Sequence, residues 1–483
     1  MSNNAPYRLL GATASLWCAF AAQAQPYTQP LFGVDTTFSV IYGWDTNFYG
    51  GIDTLRMDIF KPVGDANTQR PLLLAVHGGA WVGGSRGDVW NMCADMAQRG
   101  YVAAAVSYRL GHHVPQNVNV SLGLSACSYA PDSAEILRAL FRAQQDLKGA
   151  IRFMKARSTL DSTLGCNTFI YGESAGAITC LTAAFLDVGT ERPLACGPLP
   201  DVADPSILLG GCFPTGLPLN STQKTRPDLG PVEGDLNLNG EDSRVAGVAS
   251  VAGALPRLAW DMDWLQGGAP PALFLYHQTC DMIVSTLTKP ALFDLSFYCA
   301  TGTWWSTNYP LFAGSQSIAD EMATYPPGTF TVSNLQDPFL CDAVLSQPPF
   351  SFNCINVANN GSFHFVVNTA AVRDSLRRMF SPIIVQNEQV GCTTGIGAIT
   401  GKGTTEVLTV APNPAADAAT VHLTTARQDR ILRVFDVQGR VVLEQPMPMR
   451  TLDLDIVGYP PGPYRIVVSS ATELIQSWLV VVG

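Results

Sequence analysis

Phe169-Ile170-Tyr171-Gly172-Glu173-Ser174-Ala175-Gly176-Ala177-Ile178-Thr179 constrains the fold more than any other stretch of the chain. A strand-like apolar run, NTFIYG (167–172), leads into a helix-like run, AITCLTAAFL (177–186), with only Glu173 to Gly176 between them. So abrupt a reversal leaves no room for bulk, and Gly172, Ala175 and Gly176 are the small residues it demands. A strand passing directly into a helix stacks that helix on a sheet, which makes the chain α/β if the same order recurs.

It does recur. TFSVIYGW (37–44) and TLRMDIFKP (54–62) read as two strands joined by a Gly-rich turn. PLLLAV (71–76) and YVAAAVSY (101–108) are apolar runs of strand length, bracketing the helical spacing of VWNMCADMAQRG (89–100). Residues 133–157 form a long amphipathic helix ahead of NTFIYG. VAGVASVAG (245–253) and PALFLYH (271–277) continue the strands, followed by a helix at 317–323, a strand candidate at 352–358 and a last helix at 368–380. The pattern predicts a mostly parallel sheet covered on both faces. Two Pro-rich stretches, 181–244 and 284–350, break the rhythm and read as long loops walling a site. Composition shifts to Gly and Thr at 389–406, a linker. Beyond it short alternating strands, among them TVHLTT, ILRVFDVQGR and SWLVVVG, predict a small all-β sandwich over 407–483.

The N-terminus carries Arg8, an apolar run from Leu9 to Ala22 and the A-x-A signal Ala22-Gln23-Ala24. That is the layout of a signal peptide over 1–24; its apolar run is shorter than the ~20 residues a bilayer span needs, and no other stretch is long and apolar enough to span. The next segment, 25–388, is then the α/β domain. A net charge of −10, with no Lys/Arg run, argues against nucleic acid or an anionic membrane as partner. Eleven of the twelve cysteines remain after residue 24, a count that suggests disulfides in an exported chain. Cys341 with Cys354 and Cys196 with Cys212 are the local pairs considered, and the absence of any C-x-x-C argues against metal ligation.

Gly172-Glu173-Ser174-Ala175-Gly176 has the G-x-S-x-G form of a nucleophile elbow, which exposes the serine hydroxyl at the end of a strand. Upstream, His77-Gly78-Gly79-Ala80-Trp81 follows PLLLAV and resembles the HGG oxyanion loop of carboxylesterases and hormone-sensitive-lipase-like enzymes. The resemblance implies an α/β-hydrolase fold and an oxyanion hole made by the N–H groups of Gly78, Gly79 and Ala175. It also implies a triad in the order Ser, acid, His. HQTCDMIV (277–284) is similar to the H-G-T-x-D-x-x-V segment that carries the acid in many such hydrolases, with Gln278 in place of the glycine. Asp281 takes the matching position; Asp261 and Asp263 are rivals that precede the strand. His364, in NNGSFHF, is the one histidine after Asp281 within the α/β domain. Ser174, Asp281 and His364 are therefore the expected triad. VSYRL (106–110), AQQDLKGAIRFMKA (143–156) and the Glu173 of G-E-S-A-G resemble the same superfamily, and the likeness covers about 35–385.

This constellation implies a serine hydrolase acting on a small or polymeric carboxylic ester. A prolyl-oligopeptidase-like peptidase and a non-catalytic binding protein on a hydrolase scaffold are the alternatives. Trp81, Glu173, Phe297, Tyr298, Trp304 and Trp305 are candidate pocket residues, with core packing the other reading for the aromatics. No cofactor is expected. DLNLNGED (235–242) opens like a Ca²⁺ loop at Asp235, Asn237 and Asn239, but Ala246 stands where the bidentate Glu is required, so it reads as a polar turn. In Ser85-Arg86-Gly87-Asp88 the aspartate is expected as a helix N-cap. The tail resembles the C-terminal sorting domain of type IX secretion cargo through Pro412-Asn413-Pro414, Asp436-Val437-Gln438-Gly439-Arg440 and Gly462-Pro463-Tyr464, although its end, WLVVVG, lacks the usual basic residue. That resemblance implies a secretion machinery as partner, then release or cell-surface attachment, with no integral membrane span.

Overall fold

The computed structural model describes residues 27–112, 133–201, 225–257, 270–290, 310–338, 363–364, 369–390, 408–412, 415–423, 425–435, 441–470 and 473–481. The first part of the chain builds β1 (Gly33–Thr46), β2 (Ile52–Val63), β3 (Arg70–Val76), α1 (Trp90–Ala97), β4 (Val102–Val106) and α2 (Ser133–Ala156). A single-turn α3 (Ser158–Asp161) precedes β5 (Thr163–Glu173), α4 (Ala175–Phe185), β6 (Gly247–Val251), β7 (Ala254–Pro256) and β8 (Ala272–Gln278). Then come β9 (Lys289–Pro290), β10 (Leu311–Gly314), α5 (Ser315–Met322), β11 (Val332–Asp337) and α6 (Thr369–Val390).

Eight strands form one sheet in the order β1-β2-β4-β3-β5-β6-β8-β11. The β1–β2 and β2–β4 pairs are antiparallel, and every pair from β4 to β11 is parallel. This is the expected α/β-hydrolase sheet. Its centre is dry on both sides, and β3 shows why apolar runs make such strands. Leu72, Leu74 and Val76 pack into the core on one face, with α2 and α4, whereas Leu73 and Ala75 pack on the other, with α1 and α6. Each fully buried Leu or Val side chain contributes ~1.5–3 kcal/mol relative to exposure.

The two long loops depart from the sequence reading. α2 is amphipathic as expected, yet its polar residues are buried; the described part of 181–244 covers them and, with α2, walls a cavity of about 300 Å³ that shares no lining residue with the one at Ser174. Gln144 and Gln145 donate to the carbonyls of Val232, Leu229 and Pro231, and Lys148 and Arg152 both pair with Glu233 at 2.5 and 2.9 Å. Buried donors need acceptors, and a Pro-rich strap with free carbonyls supplies them. The described part of 284–350 contains β9, β10, α5 and β11. β11 (VSNLQD) escaped notice because an edge strand can stay polar and half-buried. The last helix runs past Phe380 and through Pro382 to Val390.

Asp88 is not the N-cap. Ser85 caps a 3-10 turn over Arg86–Val89, and its N–H donates to the Asp88 carboxylate at 2.8 Å, the reciprocal half of a capping box. Cys196 does not pair with Cys212. It is a free, fully buried thiol directed at the Leu137 carbonyl, because its segment packs against α2. Cys93 and Cys180 are also free, whereas Cys166 and Cys280 are disulfide-bonded. Cys341, Cys354 and the strand candidate 352–358 lie outside the described residues, as does the segment 1–24.

The C-terminal strands form two antiparallel sheets. One orders β12 (Thr409–Ala411), β13 (Ala418–His422) and β16 (Thr451–Asp455); the other orders β15 (Val441–Pro446), β14 (Ile431–Phe435), β17 (Gly462–Ser470) and β18 (Glu473–Val481). Val421 and Leu454 from the first sheet share a core with Leu432, Val434, Ile466 and Leu479 from the second, which makes the small β-sandwich expected. Among the described residues no helix is long and apolar enough to cross a membrane.

Candidate active site

The elbow is built where β5 meets α4. Ser174 sits between them at φ 53°, ψ −123°, a conformation that costs a side-chain-bearing residue ~1–3 kcal/mol. The sheet holds it there: the Ser174 N–H donates to Val251 O at 2.9 Å, and its carbonyl accepts from the Ile178 N–H at 3.0 Å. The flanking glycines are required by approach. A Cβ on Gly172 would lie 2.3 Å from Gly176 O, and one on Gly176 would lie 2.3 Å from Val76 O.

His364 reaches the serine from a distant part of the chain. Its Nε2 lies 2.7 Å from Ser174 Oγ, and its Nδ1 lies 2.6 Å from Asp281 Oδ2. Asp281 follows β8 and is buried, and its other oxygen accepts the N–H groups of Ile283 and Val284 at 2.8 and 2.9 Å. Burial alone would push this carboxyl up. The facing His364 and the hydrogen bonds from His277 and His364 outweigh it and hold the carboxyl below its ordinary value. An ionised Asp281 fixes Nδ1–H on His364 and leaves Nε2 to accept the serine proton. His277 lies behind the aspartate, its Nε2 3.3 Å from Asp281 Oδ2 and 2.8 Å from Val284 O, with Nδ1 2.9 Å from Ser315 Oγ.

The loop after β3 runs beside Ser174. A Cβ built on Gly78 would come within 3.1 Å of Ser174 Cβ, and Gly79 has φ +111°. His77 anchors the loop: Nδ1 is 2.8 Å from Gly78 O, and the ring stacks on Tyr108, whose hydroxyl donates to His77 O at 3.0 Å. Burial pulls the His77 pKa down, so the ring stays neutral there. Ala175 is the first residue of α4, and its N–H is among those a helix leaves without an internal partner. The neighbouring Arg109 forks onto Asp146 of α2, with contacts of 2.7 to 3.0 Å, tying the YRL strand end to the AQQDL helix.

A cavity of about 410 Å³ opens at Ser174. Gly78, Gly79, Glu173 and His364 line it, together with Tyr171, Thr369 and Arg373, which sequence reasoning did not single out. The helical spacing of Thr369, Val372 and Arg373 was the available signal, since i, i+3 and i+4 share one helix face. Trp81 is absent from this lining; it is buried beneath the loop and donates its Nε1–H to Thr179 Oγ1 at 3.0 Å. Phe297, Tyr298, Trp304, Trp305, Asp261 and Asp263 lie outside the described residues. In the 235–242 turn the Asn237 amide donates to Tyr42 O and Gly149 O, and among the described residues no cluster of three or more His, Cys, Asp or Glu could hold a metal.

Residues 57–121 match the BD-FAE family, and residues 409–482 match the secretion system C-terminal sorting domain. The first match lies within the α/β part of the chain, and the second covers the C-terminal β-sandwich, which is similar to a domain that sorts proteins for secretion or cell-surface attachment. A search of curated proteins finds no match. Among solved structures, the chain is similar to a tributyrin phosphonate-inhibited esterase B from Lactobacillus rhamnosis, at 12% identity and a TM-score of 0.39, covering 74% of this chain and 88% of that one. A propionate-bound esterase from Thermogutta terrifontis shows 14% identity and a TM-score of 0.35, covering 74% and 95%. A bifunctional GH43-CE protein from Bacteroides eggerthii shows 13% identity and a TM-score of 0.36, covering 72% and 35%.

Proposed function

We propose that the chain is an exported serine hydrolase that cleaves carboxylic esters through Ser174, His364 and Asp281. The observation that carries this reading is the unbroken run of contacts from Ser174 Oγ through His364 to Asp281, beside a Gly-rich loop and at the mouth of a cavity. His364 Nε2 takes the Ser174 proton as Oγ bonds to the ester carbonyl carbon. The tetrahedral oxyanion accepts N–H groups from Gly78, Gly79 and Ala175, each donor being worth ~2.7–4 kcal/mol. Collapse expels the alcohol, protonated by His364, and leaves an acyl-Ser174. Water then adds with its proton taken by His364, and the acid departs as Ser174 Oγ recovers that proton. Asp281 stabilises the imidazolium at both stages. The 409–482 sorting domain supplies the contact with the secretion machinery.

A fluorophosphonate probe is expected to label the protein and to miss Ser174→Ala; equal labelling of both would overturn the assignment of the serine. Turnover of p-nitrophenyl acetate without turnover of a Pro-containing anilide separates an esterase from a peptidase. A folded protein that turns over neither would be a scaffold without this chemistry.

A further inference from the structure

Arg373 is the one arginine or lysine among the described residues lining the cavity at Ser174, and no described residue pairs with it. Arg373 projects from the first turns of α6, half-buried, with Thr369 one turn before it on the same face. No hydrogen bond or ion pair among the described residues uses its guanidinium, which carries five N–H donors in a planar fork. The other arginines near the site are committed: Arg109 to Asp146 and Asp45, Arg377 to Asp95 and Asp374.

The acidic groups on the same cavity are occupied. Asp88 accepts the Ser85 N–H at 2.8 Å, and Glu173 accepts the Tyr171 hydroxyl at 2.5 Å. Their charges oppose an anion on their own side, so an incoming anion belongs on the α6 side. A guanidinium fork matches a carboxylate with two parallel hydrogen bonds, a geometry an ammonium lacks.

We propose that Arg373 selects esters that carry a carboxylate, holding that group on the α6 side of the cavity while the ester carbonyl lies at Ser174. The inference rests on the hydrolase reading for its reaction but not for its binding site. The carboxylate can stand on the acid or the alcohol portion, and the substrates for the test differ in that respect.

Mono-p-nitrophenyl adipate against its methyl ester places the charge on the acyl side; p-carboxyphenyl hexanoate against its methyl ester places it on the leaving group. The expected result is a higher kcat/KM for the charged member of one pair. That preference should fall about 10- to 100-fold in Arg373→Gln and be only partly kept in Arg373→Lys, which retains the charge without the fork. Equal losses on charged and neutral esters, or no preference in either pair, would overturn the proposal. A binding measurement separates it from the hydrolase reading. Calorimetric titration of Ser174→Ala with monomethyl adipate should show binding that dimethyl adipate lacks and that Arg373→Gln abolishes. If no ester is turned over yet this binding appears, the site stands and the reaction does not; turnover with no Arg373-dependent binding gives the reverse.

Discussion

Replacing Asp281 by Asn removes a charge while keeping nearly the same shape, and the surrounding hydrogen bonds dictate how the amide must sit. Its oxygen has to face the Ile283 and Val284 N–H groups, because the flipped amide would set two donors against two donors. The NH₂ then occupies the position of Oδ2, 2.6 Å from His364 Nδ1. A donor there forces Nδ1 to become an acceptor and moves the ring proton to Nε2, facing Ser174 Oγ. The base is lost although every heavy atom stays in place. A wrong tautomer of this kind lowers kcat ~10⁴-fold, or roughly 5.5 kcal/mol of barrier. The fold loses one charge-assisted hydrogen bond, ~1.5–3 kcal/mol. The assay is kcat on p-nitrophenyl butyrate, with circular dichroism to show the variant folded. A folded Asp281→Asn retaining more than a tenth of wild-type kcat would refute the tautomer argument. Acid pH gives a second check. The Asp281 carboxyl is held below its unfolded value of ~3.9, so its stabilisation is complete above that pH and is lost as pH falls through the folded value. The gap in Tm between wild type and Asp281→Asn should therefore narrow on acidification below about pH 4, and a constant gap would contradict it.

Gly176→Ala should cost several degrees of Tm and most of the activity, since the added Cβ meets two β3-end carbonyls, Val76 O and His77 O, at 2.3 and 2.5 Å; a Tm within a degree of wild type would count against the close approach. Cys93, Cys180 and Cys196 should resist iodoacetamide in the native protein and react once guanidinium unfolds it, because burial pushes all three thiols up, Cys196 to about 12. Mass spectrometry of native protein alkylated at Cys196 would contradict this. A chain ending at Val390 should keep its kcat on p-nitrophenyl butyrate, because among the described residues the tail strands share a core formed by 408–481 without any from the α/β part. Loss of activity with the tail would show that the two parts depend on each other.

Much of this was legible in the sequence where chemistry demands fixed spacing. The elbow tolerates only small residues around Ser174, and apolar runs such as 71–76 have no stable place except a strand dry on both faces. Asp281 came from the likeness of 277–284 to an acid-bearing segment and His364 from its place in chain order, and the two side chains meet at 2.6 Å beyond the end of β8. The features that escaped depend on partners far away in sequence. β11 is polar and takes its strand form from pairing with β8. The strap over 225–244 owes its place to buried charges on α2, whose amphipathic spacing does not say what covers the polar face. Cys196 lies in a segment whose packing against α2 leaves its thiol unpaired, which no local spacing reveals. Arg373 shares a cavity with Ser174 only because α6 packs against β5 and β8, and Trp81, adjacent to the oxyanion loop in sequence, turns inward to meet Thr179.

The span of the triad along the chain has a consequence for the order of events in export. Ser174 and His364 are 190 residues apart, and Asp281 and His364 are 83 apart. Pairing segments so distant requires closing large loops, which slows folding relative to local structure. The hydroxyl and the imidazole thus meet only once β8 has joined the sheet and α6 has packed against it. A chain exported before these elements have packed would carry Ser174 with no histidine beside it, and the Ser174–His364–Asp281 contacts would arise only where folding is completed.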